Sequence, residues 1–255
     1  MRGTTVGPRT IVDLLQEDMQ RAHNRYLNSP LVRLIASGQL PRAAIKDYAV
    51  LRWPFQAHAD LAMMISHAAF LRGDDAAHLL GNAFDEILRP AGEGDHPSLW
   101  VQFALAVGAT RAELDAAAAN PLPEVLGFSK TMTYYCTRSA EEGLSSWFAD
   151  EEQLPEVHGA TALALRKYYG YRDDVIEYFL EHVRADLGHS DAAESMLVSY
   201  CHTPEAIQRG RRAGNMTLWA WREMHDGILR EIRKRHRVSP GGAGETARSE
   251  EGRAG

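Results

Sequence analysis

The chain is expected to fold as an all-α bundle of seven or eight helices. Three observations carry that expectation. Ala, Leu, Glu and Arg dominate residues 10–237, and these are strong helix formers. The alternation of Val, Ile and Thr with polar residues that marks half-buried strands is nearly absent. Proline and glycine recur at intervals that punctuate helices of ordinary length. With 45% hydrophobic residues over 255 positions, the chain can bury a sizeable core. No internal repeat is found.

The first helix is expected over residues 10–28 (TIVDLLQEDMQRAHNRYLN). A short one follows over 30–37. The third starts at Pro41, a residue suited to a first turn, and runs to about residue 72 with a kink at Pro54. The fourth covers 75–88 and ends at Pro90 and a loop holding Gly92 and Gly94. The fifth runs from 96 to 108, with Pro97 just inside it, and a short turn, TRAELDAA, comes next. Pro121 and Pro123 mark a loop. A helix over 129–139 then runs on, or breaks at Gly143, into one that reaches residue 169. The seventh spans 172–200. The last begins at Thr203-Pro204, with Thr203 as N-cap, and runs to about 237. Residues 10–237 read as one domain. Residues 1–9 are expected to be flexible. Residues 238–255, rich in Gly, Ser and charge, are expected to be a disordered tail.

The totals exclude several functions. A net charge of -6 argues against a nucleic-acid partner, which selects basic patches. No stretch approaches the roughly 18 apolar residues of a membrane span. The N-terminus lacks the apolar core of a signal peptide. The two cysteines, Cys136 and Cys201, form no CxxC and read as reduced buried thiols. A cytoplasmic location follows.

One stretch, EHVRADLGHS, places His182, Asp186 and His189 at i, i+4 and i+7, one stripe of a helix. The stripe falls within or beside the apolar face formed by Val175, Phe179, Val183, Ala193 and Met196. Alone, such a triple reads as a solvated or hydrogen-bonded stripe. Buried without partners it would be costly, and a metal removes that cost. Two further segments match it. SSWFADEEQLPEV offers Asp150, Glu151 and Glu152, of which one or two can face a core. NAFDEILRPAGEGDHPSLW offers Asp85, Glu86, Glu93 and His96 around a loop. Imidazoles and carboxylates without thiolate suit iron or manganese. Carboxylates and histidines facing inward from several helices are how bundles build di-iron sites. The ferritin pattern needs two Glu-x-x-His repeats. Only Glu93 to His96 fits, since Glu223 and His225 are two apart.

In order and spacing these three segments resemble the haem-oxygenase-like di-metal oxidases, over about residues 10–235. The resemblance implies a haem-oxygenase-like bundle that holds two Fe(II) ions. The implied ligands are Glu86, His96, Glu151, His182, Asp186 and His189, with Asp85 or Glu93 able to replace Glu86. Asp60, on the third helix, is the candidate for an extra carboxylate of the kind found in members that oxygenate nitrogen. In this family two ferrous ions reduce O2, the co-substrate, to a bridging peroxide. The known reactions are oxidations of amines, amino acids and fatty acids. The function implied is an O2-dependent oxidase or oxygenase of a small amino acid or amine, in specialised biosynthesis. It would act by C–H cleavage such as desaturation, cyclisation or fragmentation. N-oxygenation is the alternative. A metal-independent member, thiaminase-like or a cofactorless oxidase, is a further one. A thiaminase needs a cysteine, for which Cys136 is available. A haem oxygenase needs an early histidine, for which only His23 is. An amino acid substrate would need a cation for its carboxylate, and Arg52, Lys130, Arg138, Arg209, Arg212 and Arg222 are open choices. Trp147, Phe148, Tyr178 and Phe179 could wall the cavity. An external electron donor is possible, and a homodimer is expected on the prevalence of two-fold symmetry.

Overall fold

Side-chain caps and prolines set most helix starts. The computed structural model describes residues 10–58, 60–87, 95–236 and 238, excluding the side chains at 58, 60–62, 82, 85–87 and 185–192. Of the segments expected to be flexible or disordered, 1–9 and 238–255, only Val238 is described, and it packs against the core. Thr10 and Asp13 exchange hydrogen bonds in a capping box that opens α1 (Ile11–Met19). A 3-10 turn over Tyr26–Asn28 leads into α2 (Pro30–Ala36). Next come α3 (Arg42–His58), α4 (Asp60–Ala68) and α5 (Gly73–Ile87). Asp95 caps α6 (His96–Ala106), and a second capping box, Thr110 with Glu113, opens α7 (Arg111–Ala119). Pro123 opens α8 (Pro123–Cys136) and Ser139 caps α9 (Ala140–Glu151). Pro155 lies in the first turn of α10 (Leu154–Tyr169), which ends at Gly170 in the left-handed region, φ 69°. Last are α11 (Glu177–Tyr200) and α12 (Pro204–Arg235), the latter capped by Thr203. The described residues form these twelve α-helices and no strand.

Twelve helices stand where seven or eight were expected, because tertiary contacts and caps divide the longer ones. The first does not run to residue 28: it stops at Met19. There Asn24 Nδ2 donates to Asp18 O (2.8 Å), and Gln153 takes the Tyr26 N–H (3.0 Å) while donating to Asn24 O (3.1 Å). The chain is thus folded back so that Tyr26 can stack on Trp221, ring centroids 3.6 Å apart. The third is described as α3 and α4, on either side of residue 59, with Pro54 inside α3. The turn TRAELDAA is a full helix, α7, which its capping box makes possible. Gly143 does not break the chain: it lies inside α9, and the breaks fall at residues 137–139 and at 152–153, the latter ahead of Pro155.

Nearly every residue of α9 from Ala140 to Asp150 is buried. It is covered by α12, α11 and α8, with α1 and α10 at its edges. Helix α12 lies against it most extensively, and Gly210 and Gly214 allow the approach: a methyl group at either would meet Ser145, and at Gly214 also Leu15. Ser146 and Thr217 hydroxyls bond across the seam at 2.6 Å. Buried Asp18 receives Arg211 (2.6 Å) and Asn215 (2.7 Å), tying α1 to the same helix. No described helix is long and apolar enough to cross a membrane.

Candidate metal centre and substrate cavity

The centre is built around one side chain, His182, 5% exposed on α11. Its Nδ1 lies 2.7 Å from the carbonyl of Tyr178, one turn earlier. A carbonyl only accepts, so the proton sits on Nδ1 and Nε2 keeps its lone pair. His96 is the first residue of α6. It does not cap the helix; Asp95 does, accepting the Ser98 N–H (2.7 Å) and hydroxyl (2.8 Å). The cap fixes the helix start and with it the His96 ring, which stacks on His182 with centroids 4.0 Å apart. Glu151 is the last residue of α9. Together with His96 and His182 it lines a cavity of about 70 Å³. That is roughly half the ~150 Å³ of an apolar cavity that admits benzene.

These are three of the six ligands the sequence proposes. The side chains of the other three, Glu86, Asp186 and His189, lie outside the described residues, as do those of Asp85, Glu93 and Asp60. The backbone of α11 is helical throughout Glu177–Tyr200, so the 182–186–189 interval keeps helical phase. Among the described residues no group of three His, Cys, Asp or Glu is arranged to hold a metal. The described donors nevertheless fit one. Burial, then His96 and His158, hold the His182 imidazole well below its ordinary pKa, so it stays neutral and able to ligate. Imidazole nitrogen beside carboxylate oxygen is a donor set for iron or manganese.

Sequence reasoning passed over most of the other buried polar groups here. Burial holds the His158 imidazole neutral too; its ring meets that of His182 edge to face at 4.3 Å. Asp150, beside Glu151, accepts from the Tyr26 hydroxyl at 3.1 Å, and burial pushes its carboxyl up to about 6. His67, 1% exposed, bonds through Nδ1 to Cys136 O (3.2 Å), and burial lowers its imidazole to about 4. Arg52 and Gln56 both donate to the Tyr178 hydroxyl, at 3.2 and 2.8 Å. Each of these side chains except Tyr26 and His158 lines the cavity. The signal was available: His67 lies within AMMISHAAFL and His158 within LPEVHGATALAL, each an imidazole inside a mainly apolar run.

Of the expected wall residues, Trp147 and Tyr178 line the cavity, with Phe55, Phe128 and Trp221, while Phe148 and Phe179 belong to the core behind it. Of the possible cations, Arg209 pairs with Glu141 (2.5 Å), Arg138 with Glu142 (3.3 Å) and Arg222 with Asp226 (3.6 Å). Lys130 and Arg212 are exposed. Arg52 alone of the six lines the cavity. Cys136 and Cys201 are buried and form no disulfide.

His67 owes its place to Gly143, since any Cβ there would overlap the imidazole ring. Gly143→Ala is expected to displace His67 and lower stability by about 2–4 kcal/mol, as overpacking and a lost buried hydrogen bond combine. Thermal melts test this, and the double variant Gly143→Ala/His67→Ala should recover part of the loss.

Residues 46–222, more than half of the chain, match the model of a family described as iron-containing redox enzyme. A 4-aminobenzoate synthase of Nitrosomonas europaea is 36% identical over 129 residues, 50% of this chain and 50% of that protein. The chain thus spans about half the length of that relative. A 4-aminobenzoate synthase of Chlamydia pneumoniae is 26% identical over 82% of this chain and 91% of its own. A Shewanella denitrificans domain of unknown function with a heme oxygenase-like fold superposes with a TM-score of 0.74 at 15% identity, covering 90% of this chain and 96% of that one. The fold is the one the sequence led us to expect.

Proposed function

The chain belongs to the iron-containing redox enzymes, and on that premise we propose that it is an O2-dependent oxidase or oxygenase acting on a small amino acid or amine in a biosynthetic pathway. The observation that carries the reading is the pairing of His182 and His96 beside Glu151 in one buried cavity, with the His182 proton fixed on Nδ1. In this reading His96, Glu151 and His182, with Glu86, Asp186 and His189, hold two ferrous ions. Bound there, the pair supplies electrons to O2.

The chain's own residues do the rest. The Tyr178 carbonyl orients the His182 ring through Nδ1, the usual device for a ligating histidine. Phe55, Phe128, Trp147 and Trp221, with Met63, Met64 and Met132, exclude water from the cavity. The relatives' printed name points the same way: 4-aminobenzoate is a small molecule bearing an amine and a carboxylate. An external electron donor and a homodimer belong to the same reading. C–H cleavage is its primary form. N-oxygenation would gain from a role for Asp60, whose side chain lies outside the described residues. A metal-independent reaction has one observation in its favour, that Cys136 lines the cavity.

Anaerobic titration with ferrous iron should load two irons per chain, and a chelator should abolish O2 uptake with a panel of amino acids and amines. Turnover that survives chelation would sink the reading and favour the thiol of Cys136, which Cys136→Ser would then test.

A further inference from the structure

Among the described residues Arg52 is a buried cation with no carboxylate in ion-pair contact. It sits on α3, 4% exposed, with its guanidinium over the rings of Trp100 (4.6 Å), Phe55 (5.4 Å) and Tyr178 (5.7 Å). Among the described residues its single hydrogen bond runs from Nη1 to the Tyr178 hydroxyl (3.2 Å), and its buried Nε has no acceptor. No described carboxylate forms an ion pair with it. Asp150 acts on it electrostatically but is engaged by Tyr26. Cation–π contacts offset only a fraction of the cost of taking a guanidinium out of water. Elsewhere in the bundle partly buried arginines are paired, as Arg211 is with Asp18.

The missing anion has room in the cavity that Arg52 shares with His96, Glu151 and His182. Its charge is limited by the lining: Arg52 is the one arginine or lysine among the described residues around the cavity, so one fixed positive charge is offered. A carboxylate matches one planar guanidinium in charge and in fork geometry; a phosphate dianion would need more.

We propose that Arg52 anchors a carboxylate of the substrate, which makes the substrate an amino acid rather than a simple amine. The inference rests on the reading of this cavity as the site of oxidation. In it Arg52 is a substrate-binding residue, and Tyr178 sets its position through the hydroxyl.

The test is binding to the iron-free full chain, where no metal can take the carboxylate. Intrinsic tryptophan fluorescence and calorimetry would compare the twenty protein amino acids and 4-aminobenzoate, each against its own carboxamide. At least one carboxylate should bind about 10- to 150-fold more tightly than its amide, the range for a hydrogen bond to a charged group. Arg52→Met should erase that preference without lowering Tm, since it removes an unpaired buried charge. Arg52→Gln keeps a donor for Tyr178 and should erase it as well, which covers a failure of the Met variant to fold. No carboxylate preference in any pair, or a preference that survives both variants, overturns the proposal. Iron stoichiometry on the same samples separates the two readings. Two irons with no carboxylate preference would remove Arg52's role alone. A carboxylate preference with no iron bound would leave Arg52's role and remove the oxidase.

Discussion

His182→Ala is expected to reduce iron binding from the proposed two per chain to fewer than one and to bring the proposed O2-dependent turnover to background. Losing only the outer partner of a ligating histidine costs about 10- to 100-fold in metal affinity, so losing the ligand costs more. The three carboxylates proposed with it, Glu86, Glu151 and Asp186, supply oxygen and cannot replace an imidazole nitrogen. His182 stacks on His96 at 4.0 Å, and its removal takes that ring contact away. The iron-free variant should still show the helical spectrum of the native chain, because the hydrogen bond lost is one within its own helix, to Tyr178 O. Iron analysis after anaerobic loading, beside circular dichroism, checks both parts. A folded variant that still loads two irons would make His182 a core histidine and nothing more.

The second large effect is on acid stability. Burial lowers the His67 imidazole to about 4 and the His225 imidazole to about 3, from an ordinary 6.5; Arg52 adds to the latter. Between those values and 6.5 the unfolded chain binds protons that the folded chain refuses, so stability falls as pH falls through that window. At about 1.4 kcal/mol per pH unit the two are worth about 3 and about 5 kcal/mol. His158 and His182 shift in the same direction. Asp150 works the other way. Its carboxyl is raised from 3.8 to about 6, so its contribution is complete below about 3.8 and lost as pH rises through about 6. That offsets about 3 kcal/mol. The histidines still dominate, and whole domains are stable by only about 5–15 kcal/mol. The iron-free protein should therefore unfold cooperatively on acidification between about pH 6 and 3. His225→Phe, which keeps a ring against Trp221, should move the midpoint to lower pH. An unchanged midpoint would mean that His225 takes up its proton in the folded state.

The helical class was legible because composition and the absence of strand patterning act locally, residue by residue. Boundaries were less so wherever a distant partner decides them. Nothing near residue 20 announces that Gln153, more than a hundred residues away, will fold the chain back at Tyr26. Gly143 looked able to break a helix that otherwise runs on to residue 169. Ser139 N-caps α9 at its start, and Gly143 lies within that helix. The same holds at the site. His182 was found because its motif is periodic, whereas His96, and Glu151 rather than Asp150 or Glu152, were implied by the family resemblance. In the structure Asp150 has Tyr26 as a partner, and both Asp150 and Glu151 line the cavity. Arg52 stood among six possible cations, because whether an arginine finds an acid depends on packing, which spacing along the chain does not encode.

The covering of α9 by α12 bears on how the protein is made. A nascent chain that has emerged only as far as residue 203 has its most buried helix in place but lacks the one that lies longest against it. Trp221, Met224, Ile228 and Ile232, all buried in the finished molecule, come from that last segment. Its 32 residues take about 2–6 s to synthesise at 5–20 residues per second. Through that interval the face of α9 around Ser145, Ser146 and Ala149 stands uncovered on the ribosome, a target for holdase chaperones. The bundle cannot close progressively from its N-terminus. It closes when its final helix arrives, and a stop codon anywhere before Ile228 would leave a helical but open chain for proteolysis.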